Sequence, residues 1–173
     1  LMTIGVVNVV DSLIARDVQC GVYLNAGKEV AVASTKAFTS QSIVLNLIAI
    51  WFAQNKNMNE MKRMELIKNL RNVPYDIKKV IEQNNEDCIK VANYLKDHDT
   101  IFVLGRGDNY AIALEGALKI KEIGYVNCNG YSTAALKHGP YALLDKGVPV
   151  IHLLPDDQYY ARNNSVGDEL KSR

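Results

Sequence analysis

The sequence predicts an α/β fold built on a mainly parallel sheet, and three observations carry that prediction. Residues 3–10 and 100–104 are apolar, β-branched runs of the kind found in strands covered on both faces. Each run leads through a turn into a stretch with helical spacing, and strands that alternate with helices build parallel sheets. A helical middle, about residues 55–98, separates the two strand-bearing parts, so the chain reads as a partial α/β unit, a helical bridge and a second partial α/β unit.

The elements follow in order. Residues 3–10 form the first strand, 12–17 a short helical turn, 20–24 a second strand and 25–27 a turn. Ser34 is a candidate N-cap for a helix to about residue 54, where Phe38, Ile43, Val44, Leu47, Ile48 and Trp51 stand near helical spacing. After a polar connector at 55–59, residues 60–71 read as a helix carrying Met61, Met64, Leu66, Ile67 and Leu70. Pro74 opens a further segment over 75–96, and a break near Asn84 and Asn85 would divide it into two helices. Residues 100–104 are a buried strand, Gly105-Arg106-Gly107 a turn, and 108 to about 123 a helix. A short strand at 125–127, a helical turn at 132–137 and a strand at 148–154 complete the pattern. Residues 156–173 are a polar tail, and the chain opens at Leu1 straight into a strand, so both ends read as cut from something longer.

Composition excludes several classes. The 173 residues suffice for one domain or two small ones. With 20 basic and 19 acidic side chains the net charge is +1, which makes no electrostatic case for nucleic acid or a membrane surface. The longest apolar run, 43–53, is interrupted by Asn46 and falls short of the ~18–20 residues that cross a bilayer. Cys20, Cys88 and Cys128 are odd in number and not spaced as metal ligands, which suits reduced thiols in a cytoplasmic protein.

The helix after residue 108 carries the densest chemistry. Glu115, Lys119 and Glu122 stand at i, i+4 and i+7, within roughly 60° of arc. Ala113, Leu114, Ala117 and Ile120 occupy the other side, expected to pack on a core. Two carboxylates and an amine thus share a face, and Lys137-His138-Gly139-Pro140 adds an imidazole at a turn. These are groups a sugar isomerase needs, although the same face also reads as a solvated surface with an ion pair worth ~0.2–0.5 kcal/mol.

Two turns are candidate anion sites. Gly105-Arg106-Gly107 lies between a strand and a helix, where free N–H groups and the helix dipole attract negative charge. It is neither a full G-x-G-x-x-G nor a P-loop, and a plain tight turn explains it equally. Ser34, Thr35 and Lys36 open another helix and could receive a phosphate, or serve as an ordinary cap with a first-turn lysine. His138 suits proton transfer near neutral pH, while His98 in a charged connector and His152 in an apolar strand have less support.

Three blocks together resemble one family: residues 25–41, residues 104–108 running into the 114–122 helix, and Leu136-Lys137-His138-Gly139-Pro140. They are similar to the isomerase half of the glutamine–fructose-6-phosphate transaminases, built from two sugar-isomerase (SIS) domains. The resemblance covers nearly the whole chain and implies partial three-layer, parallel-sheet SIS domains joined by a helical segment. Residues 1–54 would be the C-terminal part of the first SIS domain, 55–98 the connector, and 99–173 the N-terminal part of the second.

The resemblance implies conversion of fructose 6-phosphate, with glutamine-derived ammonia, into glucosamine 6-phosphate. Glu122 matches the base that moves a proton between C1 and C2, with Lys119 and Glu115 beside it. His138 matches the histidine of ring opening, which the family takes from a neighbouring subunit, so a homodimer is implied. Val32 and Ser34 match positions that contact the sugar. A cytoplasmic location is implied, and no metal or organic cofactor, nucleic acid or membrane partner.

Departures from the pattern keep alternatives open. The family's phosphate loops, its glutaminase domain and its C-terminal Schiff-base lysine have no counterpart, and Lys171 lies in an unrelated context. Ala135 and Asn129 stand where the family usually has glutamates. A non-catalytic SIS-type phosphosugar-binding or regulatory module, or a sugar-phosphate deglycase, is therefore also compatible with the sequence.

Overall fold

A computed structural model describes residues 1–172. The chain divides into two compact units, 1–85 and 86–173. In the first, β1 (Ile4–Val7) and β2 (Cys20–Tyr23) pair in parallel, with Ile4 opposite Cys20 and Val7 opposite Tyr23. The crossover contains α1 (Leu13–Asp17), whose N-cap Ser12 accepts a hydrogen bond from the Ala15 N–H at 3.3 Å. Asn8 ties the end of β1 to the following turn: its Nδ2 donates to the Gly27 carbonyl at 2.7 Å and its Oδ1 accepts from the Ala26 N–H at 2.9 Å. Then comes α2 (Thr35–Gln54).

Helix α3 (Glu60–Leu95) is continuous where the sequence suggested interruptions at Pro74 and near Asn84. Proline removes a single backbone donor, and the helix continues on either side of it. Asn84 turns its Nδ2 back to the Val80 carbonyl at 2.8 Å, a bond compatible with a helix interior, so it does not act as a breaker.

The second unit holds a three-stranded parallel sheet in the order β4-β3-β5. Its centre is β3 (Thr100–Gly105), flanked by β4 (Asn127–Ser132) and β5 (Val150–His152). Alternate residues of β3 enter opposite layers, as the two-residue period of a strand dictates. Ile101 and Val103 pack with Ala113, Ala117 and Cys128 beneath α4 (Asp108–Gly124). Phe102 and Leu104 pack with Leu136 and Leu144 on the other face, where Val166 and Leu170 of α5 (Tyr160–Lys171) join them. The fold class is therefore α/β, with three layers in this unit.

Two glycines allow α4 to lie close on the sheet. A Cβ at Gly105 would stand 2.0 Å from the Asn109 carbonyl oxygen, and one at Gly130 would meet the Ala113 oxygen and Leu114 Cα at 2.8 Å. The strand expected at 125–127 begins at Asn127 instead and runs to Ser132. Tyr125 has φ 53° and ends α4, while pairing with β3 carries a polar segment of modest strand propensity into the sheet.

The polar segment expected as a tail forms α5. Asn163 is buried, its Nδ2 donating to the Leu153 carbonyl at 2.9 Å and its Oδ1 lying 3.0 Å from His152 Nε2. Since that amide oxygen can only accept, the imidazole carries its proton on Nε2. One amide thus latches α5 to the end of β5.

Candidate functional site

Helix α4 brings Glu115, Lys119 and Glu122 together. Lys119 Nζ lies 3.2 Å from Glu115 Oε1 and 3.1 Å from Glu122 Oε2, so one ammonium bridges two carboxylates. The three side chains retain 21%, 24% and 22% exposure for Lys119, Glu115 and Glu122, respectively, enough shelter to hold a geometry and enough opening to meet a ligand. Burial pulls the Lys119 pKa down, but hydrogen bonds and charge from Glu122 and Glu115 outweigh it and leave it raised above 10.5. An amine held protonated is a poor nucleophile. In this setting Lys119 can donate hydrogen bonds and neutralise charge, while a carboxylate beside it can accept a proton.

The opposite side of α4 departs from expectation at one position. Ala113, Ala117 and Ile120, at i, i+4 and i+7, pack on the sheet, but Leu114 is 44% exposed. Leu114 sits one residue, about 100°, around the helix from Ala113 and is turned off the buried stripe. Lys119 also borders an apolar hollow of about 450 Å³ lined by Leu95, Ile101, Ile120, Ile123 and Val126 among others.

His138 ends a 3-10 turn (Leu136–His138) and is exposed. Its N–H donates to the Ala135 carbonyl at 3.0 Å, and Gly139 follows with φ 146°, a conformation that favours glycine. The contacts of Glu115, Lys119 and Glu122 with one another lie within α4, whereas His138 lies on the turn after β4. Asn129 lies in β4, its Nδ2 donating to Asn127 Oδ1 at 3.1 Å, and Ala135 is exposed before the histidine turn.

Val32 and Ser34 belong to the first unit. Val32 is 83% exposed. Ser34 occupies the N-cap position of α2 but makes no side-chain cap bond, because its left-handed backbone (φ 45°) turns the hydroxyl to donate to the Val32 carbonyl at 3.3 Å. The cap is Glu29, whose Oε1 accepts from the Ala37 N–H at 2.7 Å. Lys36 Nζ donates to the Lys28 carbonyl at 2.7 Å. A carboxylate thus already occupies this helix start, so Glu29 replaces Ser34 as the cap and stands where the phosphate reading of Ser34, Thr35 and Lys36 would put an anion. Nothing local in the sequence marks Glu29, since the loop that returns it to the helix is a tertiary feature.

The Gly105-Arg106-Gly107 turn is closed by its own backbone. Asn109 N–H donates to the Arg106 carbonyl at 3.1 Å and Tyr110 N–H to that of Gly107 at 3.0 Å. Arg106 lies over the Tyr159 ring at 5.7 Å, and a Cβ at Gly107 (φ 57°) would strike that ring at 2.7 Å. Tyr159, in the segment read as a tail, was invisible to sequence reasoning.

Residues 94–173 match the family described as the SIS domain. The chain is 44% identical over 173 residues to the glutamine–fructose-6-phosphate aminotransferase (isomerizing) of Chlorobaculum tepidum, covering 99% of this chain and 28% of that protein. It is 42% identical over 172 residues to the isomerizing aminotransferase 2 of Homo sapiens, covering 99% of this chain and 25% of that one. Among solved structures, the C-terminal domain of glucosamine-fructose-6-phosphate aminotransferase from Francisella tularensis superposes with a TM-score of 0.93 at 33% identity, over 98% of this chain and 48% of that one. The chain therefore spans about a quarter of the full-length relatives it matches.

Proposed function

We propose that this chain, a SIS-domain protein over residues 94–173, supplies part of the isomerase machinery that makes glucosamine 6-phosphate from fructose 6-phosphate and glutamine-derived ammonia. The observation that carries the reading is the Glu115–Lys119–Glu122 group on α4, in a chain similar along its length to the isomerizing aminotransferases. An aldose–ketose shift moves one proton between neighbouring carbons and needs a base in hydrogen-bond reach of both. Glu122 takes that role, held by Lys119 at 3.1 Å on the face it shares with Glu115. Lys119 and Glu115 fix its orientation and donate or accept hydrogen bonds at the sugar's oxygens. His138 opens the sugar ring, delivered from the partner subunit of a homodimer. Val32 and Ser34 contact the sugar.

In this reading residues 1–54 complete the first SIS domain from its C-terminal side, 55–98 connect, and 99–173 begin the second. The protein works in the cytoplasm on a sugar phosphate, without nucleic acid or membrane. Helix α2 has the length and composition to cross a membrane, unlike the shorter 43–53 run read from the sequence, because the helix continues through Asn46 and its flanking polar residues.

The test is Glu122→Gln in the gene product, followed by isomerisation of fructose 6-phosphate. Loss of a positioned base costs ~10²–10⁴-fold in rate. A rate within a few-fold of wild type removes Glu122 from the role. Binding of glucosamine 6-phosphate with no turnover in the wild type would replace the enzyme reading with a phosphosugar-binding one.

A further inference from the structure

Lys137 and His138 are consecutive in one 3-10 turn, and the side chain of Lys137 is tied to a distant helix. Lys137 Nζ lies 2.8 Å from Glu169 Oε2 and 2.9 Å from its Oε1, gripping both oxygens of a residue 32 positions away on α5. Leu136, on the other side of Lys137, is 1% exposed and packs in the cluster joined by Val166 and Leu170 of the same helix. Helix α5 is in turn latched to β5 through Asn163, which bonds the Leu153 carbonyl and His152. A continuous line of contacts therefore runs from the sheet through α5 and Glu169 to the turn that ends in His138.

We propose that Glu169 is a positioning residue for His138, holding its turn through Lys137; the inference rests on the ring-opening role given to His138 above. The pair is exposed at both ends, 62% and 41%, and exposed pairs contribute little to stability. What a two-oxygen grip on a flexible lysine does supply is direction. Leu136 is fixed by burial and Gly139 by its left-handed backbone, so the lysine tether removes the remaining freedom of the turn to swing about its buried end. Both the hydrogen bond and the charge of Glu169 raise the Lys137 pKa, so the tether persists throughout the neutral range.

The experiment uses the gene product and separates ring opening from proton transfer. Anomer exchange of fructose 6-phosphate, followed by carbon-13 exchange spectroscopy, reads ring opening, while hydrogen exchange at C1 of the open-chain sugar reads the Glu122 step. Displacing a catalytic group by a fraction of its length costs on the order of tenfold or more. Glu169→Ala and Lys137→Met should each slow anomer exchange about tenfold, with KM within about twofold and the proton-transfer step unaffected. The charge swap Lys137→Glu with Glu169→Lys should recover most of the loss, and Glu169→Gln, which keeps the shape, should fall between. His138→Gln separates the two levels of the argument. If it abolishes anomer exchange while Glu169→Ala and Lys137→Met leave it at wild-type rate, Glu169 does not position the histidine. If His138→Gln has no effect, the ring-opening role itself fails and the positioning role falls with it. Equal slowing of both steps by Glu169→Ala, with no recovery by the swap, reassigns Glu169 to general stability and overturns the proposal.

Discussion

The two units contain similar secondary structure and bury it very differently. In the second, four consecutive residues of β3 are 0–3% exposed, and each face of the strand has its own cluster. In the first, every residue of β2 is exposed, Trp51 and Phe52 retain 56% and 42% exposure, and Ala33 alone among the described hydrophobics there is fully buried. Both units contain an apolar, β-branched run of the same character. The difference teaches that such a run states what a strand can tolerate on its two faces. Whether it is buried depends on what the chain supplies to cover it: β3 has neighbours on both edges and helices on both faces, while β1 has one neighbour.

Three experiments sharpen or break this comparison. The largest effect should come from Phe102→Ala, which removes a fully buried ring and should cost ~3–5 kcal/mol, against under ~1 kcal/mol for Trp51→Ala in the half-exposed helix of the first unit. Denaturant melts of the two variants measure this. Equal losses would mean that the first unit's apolar face is covered in solution. A smaller effect of opposite sign is expected at Thr133, which is 3% exposed with a hydroxyl that finds no hydrogen-bond partner among the described residues. Thr133→Val removes an unsatisfied buried group and should gain about 1 kcal/mol. A loss in the same melts would mean that the hydroxyl bonds a water or ligand.

The smallest effect is pH-dependent. The folded pKa of Lys119 lies above its unfolded value of 10.5, so its ion pairs contribute stability that is complete below about pH 10.5 and fades as pH rises through the folded value. The stability difference between wild type and Lys119→Met should therefore be constant from pH 8 to 10 and shrink above that. A difference that shrinks below pH 9 would contradict the sign of the shift.

Much of this was legible in sequence, and the limits have physical causes. The face of α4 followed from the 3.6-residue period, because Glu115, Lys119 and Glu122 act within a single helix. β3 was legible because both its faces are buried and the run is unbroken. Three readings failed, each for its own physical reason. Ser34 looked like a cap, but Glu29 reaches the α2 start from a loop. Asn84 looked like a breaker and instead bonds within α3. The segment after residue 156 looked like a tail because its helix buries little beyond Asn163, Val166 and Leu170. Glu169 and Tyr159 lie in that segment, so their contacts with Lys137 and Arg106 had no local signature.

The bridged ammonium on α4 has a consequence for where a phosphorylated sugar can lie. Two carboxylates and one amine held protonated at neutral pH sum to a net charge of −1 on that face. A phosphate dianion brought within a few ångströms would be repelled, and sheltering from water strengthens the repulsion. If Glu122 is the base of the proposed reaction, the neutral, hydroxyl-bearing end of a sugar monophosphate would be the end admitted to this face, with the phosphate turned outward. In that reading the charge count of one helix face would select which end of the sugar reacts.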